Sequence, residues 1–198
     1  VTDVAIIANG GANIASLQFA LDRLGVSSRL TADAGELRRA PRVILPGVGA
    51  AADAMGRLAA LGLVDVITSL TQPVLGICLG MQLLFDASEE GDTRCLGIIP
   101  AQVTRFPDRA GLPVPHMGWN RVTPRAPTPL LQDADHEPYM YFVHSYAAPV
   151  GSWTVATTDY GGDFSALVSA RNFHGAQFHP ERSSRAGQSL LARFLELN

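Results

Sequence analysis

The run Pro73-Val74-Leu75-Gly76-Ile77-Cys78-Leu79-Gly80-Met81-Gln82-Leu83-Leu84-Phe85 constrains this chain more than any other. An apolar segment of strand length meets Gly-x-Cys-x-Gly, then continues with apolar spacing that suits a helix. This is the layout of a nucleophile elbow, with sulfur in place of the serine oxygen. Gly76 and Gly80 leave room for a sharp strand-to-helix turn that bulky residues would not fit. The turn sets Cys78 at a helix N-terminus, where partial positive charge favours the thiolate.

The flanking sequence supplies a sheet for the elbow. Val4-Ala5-Ile6-Ile7-Ala8 predicts a first strand, followed by a helix over 13–24 that Gly25 stops. Further strands are predicted over 26–30, 43–45 and 74–77, with helices over 33–39 and over 50–70, the latter broken near Gly62. Strands alternating with helices at these lengths describe a parallel sheet covered on both faces. The second half differs: strands are predicted over 140–145, 153–158, 166–170 and 173–178, with a turn at Gly161-Gly162. An amphipathic helix over 188–197 closes the chain. The prediction is therefore an α/β fold with a mainly parallel central sheet flanked by helices and an antiparallel extension. The active site belongs at the carboxyl ends of the strands.

With 198 residues the chain is long enough for one well-buried domain and short for two, and no linker or repeat divides residues 1–198. The net charge of −3 gives no electrostatic reason to expect nucleic acid or an anionic membrane as partner. No apolar run approaches the roughly 20 residues that span a bilayer. Val1-Thr2-Asp3-Val4 lacks the basic start of a signal peptide. Two cysteines, Cys78 and Cys95, form neither a disulfide framework nor a zinc site, which points to a reducing, cytoplasmic compartment. No metal and no cofactor is expected.

A cysteine nucleophile needs a base, and the base needs an orienting acceptor. Among the histidines, His179 stands in Gln177-Phe178-His179-Pro180-Glu181, where the chain leaves a predicted strand. Pro180 cannot continue the ladder and stiffens the turn, so Glu181 can converge on His179. The chain order is then Cys78, His179, Glu181. Acyl transfer also needs an oxyanion hole. The Leu79 backbone N–H is one donor, and the Gly47-Val48-Gly49 segment offers a second. Glycines on both sides let the Val48 peptide reorient, which would make an activity switch.

The other reactive residues read more plainly. Cys95 is a small buried apolar residue. His116 and His144 are hydrogen-bonded structural or interface residues. His136 lies in the acidic run 133–137, a solvated loop, and His174 faces solvent or a neighbouring strand. Gly10-Gly11 makes a tight turn, because a phosphate loop would need further spacing and a lysine.

Gly76-Ile77-Cys78-Leu79-Gly80-Met81-Gln82 together with Gln177-Phe178-His179-Pro180-Glu181 resembles the triad segments of class I glutamine amidotransferases, a flavodoxin-like family. Pro46-Gly47-Val48-Gly49, Pro115-His116-Met117-Gly118-Trp119-Asn120 and Tyr141-Phe142-Val143-His144-Ser145-Tyr146 narrow the resemblance to the glutaminase subunits of imidazole glycerol phosphate synthases. The resemblance implies that Cys78 attacks the glutamine side-chain amide and forms a thioester, with His179 and Glu181 as base and orienter. It implies Val48, Gly49 and Leu79 at the oxyanion hole, and Gln82, Ser145 and Tyr146 at the amino-acid end of glutamine. It implies a (β/α)8-barrel cyclase subunit as partner, which uses the ammonia to make imidazole glycerol phosphate and AICAR from PRFAR in histidine biosynthesis. Met117, Trp119, Asn120 and Tyr141 then belong to the interface, with Met117 and Trp119 on a loop. Two positions depart from the family pattern: Ala8-Asn9 before Gly10, and Arg182 where lysine is common. The rival readings are a glutaminase for another acceptor, such as anthranilate or aminodeoxychorismate, and a catalytically silent regulatory subunit.

Overall fold

The computed structural model describes residues 4–10, 14–131 and 138–197. In chain order the elements are β1 (Val4–Ile7), α1 (Ile14–Asp22), β2 (Ser28–Thr31), α2 (Ala34–Arg39), β3 (Val43–Gly47), α3 (Ala51–Ala60), α4 (Val64–Thr68), β4 (Val74–Cys78) and α5 (Leu79–Gln82). There follow β5 (Phe85–Ser88), β6 (Thr93–Arg94), β7 (Ile99–Arg105), β8 (His116–Arg121), β9 (Thr123–Pro124), β10 (Tyr139–His144) and β11 (Tyr146–Ala147). The last elements are β12 (Thr154–Asp159), β13 (Asp163–Ala170), β14 (Phe173–Ala176), a 3₁₀ turn (Pro180–Arg182) and α6 (Ser184–Glu196).

The main sheet has eight strands in the order β2-β1-β3-β4-β14-β13-β12-β9. β2 through β14 run parallel, and β13, β12 and β9 add on antiparallel. A four-stranded sheet, β11-β7-β5-β6, and a two-stranded sheet, β10-β8, stand apart from it. Every residue of β1 and β4 is buried, as expected of parallel strands covered on both faces. Alternation along these strands divides the core. Ala5, Ile7, Val43, Leu45 and Val74 pack with Leu37, Leu58 and Ile67 of α2, α3 and α4. Val4, Ile6, Ile44, Leu75 and Ile77 pack with Leu17 and Leu21 of α1 and Leu191 and Phe194 of α6.

Local chemistry explains the boundaries in the first half. The Asp33 carboxylate accepts from the Glu36 N–H at 2.7 Å and caps α2. The alanine-rich stretch splits into α3 and α4 around Gly62, at φ +65°. At the end of β1, Arg57 donates to the Asn9 carbonyl. The predicted turn at Gly161-Gly162 closes the β12–β13 hairpin.

Three predictions need correction. The helix after Cys78 is a single turn, α5, after which the chain leaves as β5. Leu83, Leu84 and Phe85 are all fully buried; an apolar run without a polar face fits an interior crossing better than a surface helix. The Met117–Trp119 segment is a strand, β8, rather than a loop. Met117 and Trp119 face outward while His116 and Asn120 face inward, which inverts the usual alternation and hides the strand. The closing helix, predicted over 188–197, starts about a turn earlier, at Ser184, and ends at Glu196. Asn13 and Gly11, at the predicted start of α1 and the glycine turn, lie outside the described residues, as does His136. Among the described residues no helix is long and apolar enough to cross a membrane.

Candidate active site

β4 ends on Cys78, directly beside the end of β3, with Gly47 paired to Cys78. Cys78 has φ +54° and ψ −112°. For a residue with a side chain this conformation costs on the order of 1–3 kcal/mol and persists only where the surroundings enforce it. Here backbone packs on backbone. A Cβ on Gly47 would lie 2.6 Å from the Gly80 nitrogen, and one on Gly76 would lie 2.6 Å from the Gly80 oxygen. The turn is thus clamped between β3 and the strand that delivers the nucleophile.

Parallel pairing of β14 with β4 brings the far end of the chain to the same edge. The chain then enters the 3₁₀ turn at Pro180, and His179 Nδ1 meets Glu181 Oε1 at 2.8 Å. Both side chains are almost fully buried. The main chain of His179 is pinned as well: its N–H donates to the Tyr141 carbonyl at 2.9 Å, and its carbonyl accepts from Ser183 Oγ at 2.6 Å. With Nδ1 occupied, Nε2 is buried without a closed hydrogen bond. Burial alone would lower the imidazole. Hydrogen bonding to Cys78 and Glu181, and then the charges of both, outweigh burial and hold the ring above its ordinary range. Cys78 and His179 face the same cavity while Nε2 closes no hydrogen bond, and hydrogen bonds of catalytic pairs are often loose before substrate binds. α5 spans only four residues, too short for much of a macrodipole, so His179 is the main charge partner of the sulfur. The Gln177 amide also points at the sulfur, with Nε2 3.9 Å from Sγ.

Cys78 and His179 line a cavity of about 340 Å³, together with Val48, Gly49 and Leu79. A larger cleft of about 800 Å³ between Pro127, Met140 and Arg193 holds none of these groups; the chemistry marks the smaller one as the site. Gln82, Ser145 and Tyr146 form another part of its wall. Both amide hydrogens of Gln82 are committed there, to the Tyr146 carbonyl at 2.8 Å and Gln177 Oε1 at 3.0 Å. Gln82 therefore fixes the wall instead of offering a free donor to a ligand. The sequence reading misses Glu90, which also lines the cavity and accepts from the Ala51 N–H at 2.8 Å. It stands in Glu89-Glu90-Gly91-Asp92, where nothing distinguishes it from a solvated turn. Gln177 is missed too, although an amide beside the His-Pro-Glu segment is a signal of a kind.

β8 and β10 pair so that directly opposed residues share a face. Met117, Trp119 and Tyr139 lie on the outer face, 67%, 53% and 53% exposed. Tyr141 opposes Trp119, with ring centroids 6.1 Å apart, and the Arg182 guanidinium sits 5.3 Å from the Tyr141 ring centre. Arginine in place of lysine gains this stacking. Asn120 points the other way. Its Nδ2 donates to the Asp159 carbonyl at 2.9 Å and approaches His116 Nε2 at 3.2 Å. Its side chain is thus engaged inside the fold and does not belong to the outer aromatic face.

His116, His144 and His174 take part in internal hydrogen bonds. His116 Nδ1 lies 3.0 Å from His144 Nε2. Burial lowers His116 to about 4. Burial, partly opposed by the Tyr146 carbonyl, lowers His144 to about 3. His174 pairs with Ser169 Oγ at 2.8 Å across β13 and β14. Cys95 is buried, its thiol pushed up to about 11 by burial and then by Glu90.

The family model for glutamine amidotransferase class-I matches residues 5–197. The chain is 53% identical over 197 residues to imidazole glycerol phosphate synthase subunit HisH of Xanthomonas axonopodis pv. citri, covering 100% of this chain and 98% of that protein. It is 53% identical over 195 residues to the protein of the same name from Idiomarina loihiensis, covering 98% of each. A solved glutamine amidotransferase superposes with a TM-score of 0.75 over 98% of this chain and 97% of the other, at 20% identity, a likeness of fold.

Proposed function

The chain belongs to the class-I glutamine amidotransferase family, and from that premise we propose that it is the ammonia-producing subunit of an imidazole glycerol phosphate synthase. It forms a single domain over residues 1–198 and acts in the cytoplasm. The observation that carries this reading is the convergence of Cys78 and the buried His179–Glu181 pair on one cavity.

The Cys78 sulfur anion attacks the carboxamide carbon of glutamine. Negative charge moves to the amide oxygen, where the Leu79 N–H and the Val48–Gly49 peptide receive it. His179, held protonated by its partners, gives its proton to the departing nitrogen, which leaves as ammonia. The glutamyl thioester is then attacked by water, from which His179 takes a proton, and glutamate departs as the thiolate returns. Glu181 keeps the Nδ1 proton of the ring in place, so that Nε2 does the work. Glu90 is placed to receive the α-ammonium of glutamine against the wall formed by Ser145 and Tyr146.

Ammonia released into water at pH 7 picks up a proton and ceases to be a nucleophile. The ammonia must therefore reach its acceptor without crossing bulk water, and the relatives' designation as synthase subunits supports a second polypeptide as its consumer, here the (β/α)8-barrel cyclase. Mixing the chain with a histidine-pathway cyclase, PRFAR and glutamine should yield imidazole glycerol phosphate, AICAR and glutamate in equal amounts. Glutamate formation supported by an anthranilate or aminodeoxychorismate synthase component, with none supported by the cyclase, would replace this acceptor by another.

The outer face of β8 and β10 supports docking there, because large exposed aromatic and Met side chains are typical interface anchors. Trp119→Ala should weaken cyclase binding by about thirtyfold or more, the size of an interface hot spot. Folding stability should move by less than about 0.5 kcal/mol, as for an exposed position. Sedimentation velocity reads the first quantity and urea titration the second. Unchanged association would move the docking surface elsewhere.

A further inference from the structure

We propose that His116 and His144 are positioning residues of the glutaminase: a hydrogen-bonded imidazole pair that ties the Tyr146 wall of the glutamine cavity to the strand carrying Trp119. The proposal rests on the glutaminase reading above.

The polarity of the chain of bonds is fixed from both ends. Asn120 Nδ2 donates to the Asp159 carbonyl, and Asn120 Oδ1 accepts from the Arg121 N–H, so its nitrogen is the atom that faces His116 Nε2. At the other end His144 Nδ1 lies 2.8 Å from the Tyr146 carbonyl, so that nitrogen carries a hydrogen. Between them, His116 Nδ1 and His144 Nε2 are 3.0 Å apart. One arrangement satisfies every contact: Asn120 donates to His116 Nε2, His116 donates from Nδ1 to His144 Nε2, and His144 donates from Nδ1 to the Tyr146 carbonyl. Both rings are then neutral and both carry the hydrogen on Nδ1. A proton added to either ring would set a donor against a donor inside the fold.

The pair is rigidly held. His116 and His144 oppose one another in the β8–β10 register. The His116 ring lies 4.1 Å from the Tyr160 ring centre and 4.9 Å from that of Phe142, and His144 lies 5.2 Å from Phe106 and Phe164. The Tyr146 carbonyl, where the chain ends, also accepts from Gln82, and Tyr146 and His144 both line the cavity. A shift of β8 is therefore passed to the wall that holds the amino-acid end of glutamine. That end lies away from the reacting carboxamide, so loosening the wall weakens ground-state and transition-state binding alike and appears in KM.

The test uses the complex with the cyclase and two variants. His144→Phe keeps the ring packing and removes both polar atoms. His144→Asn keeps a donor where Nδ1 stands. His144→Phe should raise KM for glutamine about tenfold, because a buried carbonyl loses a donor, with kcat within about threefold of wild type. His144→Asn should bring KM back to within about threefold of wild type. Imidazole nitrogen NMR of the wild-type chain at pH 7 should show both rings neutral with the hydrogen on Nδ1. This measurement decides the matter even if a variant does not fold. A charged ring, or a hydrogen on Nε2 of either, overturns the proposal. So does an unmoved KM in His144→Phe while the wild-type complex turns over glutamine. If the wild-type complex hydrolyses no glutamine, the glutaminase reading itself falls and takes the proposal with it.

Discussion

Cys78→Ala should abolish glutamine-dependent synthesis by the complex while leaving synthesis from added ammonium salt intact. The first part follows from the covalent step. Without sulfur there is no thioester, and what remains is water held in a pocket beside an imidazole. Loss of a nucleophile of this kind lowers turnover by about 10⁴-fold or more, or at least about 5.5 kcal/mol of transition-state stabilisation. The second part follows from where the chemistry resides. The acceptor reaction belongs to the cyclase, and alanine retains the Cβ, so the elbow keeps its packing and the complex its shape. Glutamate release and AICAR formation with glutamine, and AICAR formation with ammonium salt, give three numbers. Equal loss in both series would show that the glutaminase chain does more for the cyclase than deliver ammonia. Retention in the glutamine series would remove Cys78 from the role of nucleophile.

The parts of this site legible in the sequence are those encoded by short-range rules. A strand ending in Gly-x-Cys-x-Gly has few ways to turn, and a histidine two residues before a glutamate across a proline has few ways to avoid it. Parallel pairing of β4 and β14 then does the rest, because register carries His179 to the edge where Cys78 already stands. The parallel half of the sheet is legible for the same reason, as its strands are short apolar runs separated by recognisable helices. What escapes is whatever depends on contacts between distant segments. Glu90 gains its place from the turn after β5 folding back onto the start of α3, and nothing local distinguishes it from Glu89. β8 escapes because Met117 and Trp119 stand on its exposed face and His116 and Asn120 on the inner one, so the alternation that usually marks a strand is reversed there. The one-turn length of α5 escapes because an apolar run reads equally well as a helix or as a buried crossing. Here the tertiary context chooses the crossing, where Leu84 accepts hydrogen bonds from Ile98 and Ile99.

Gly80→Ala should be the most destabilising single substitution in the elbow, and Gly56→Ala the contrasting case. At position 80 the new methyl group would lie 1.8 Å from the Leu45 carbonyl oxygen, well inside contact distance. The obstacle is backbone in the middle of β3, which is paired with β1 on one side and β4 on the other. It cannot swing aside as a side chain would. Relief requires prying the elbow away from β3, which opens buried packing and frees the strained conformation at Cys78. A cost of about 3–5 kcal/mol is expected, a large part of the roughly 5–15 kcal/mol that keeps a domain folded. At position 56, inside α3, the same methyl group meets nothing within 4 Å, and alanine's better helix propensity should add up to about 1 kcal/mol. Urea midpoints of the two variants should therefore move in opposite directions from wild type. A wild-type midpoint for Gly80→Ala would mean that β3 and the elbow are not in backbone contact. The Val48 peptide would then lose its fixed relation to Cys78, and the oxyanion hole assigned to it would have no structural support.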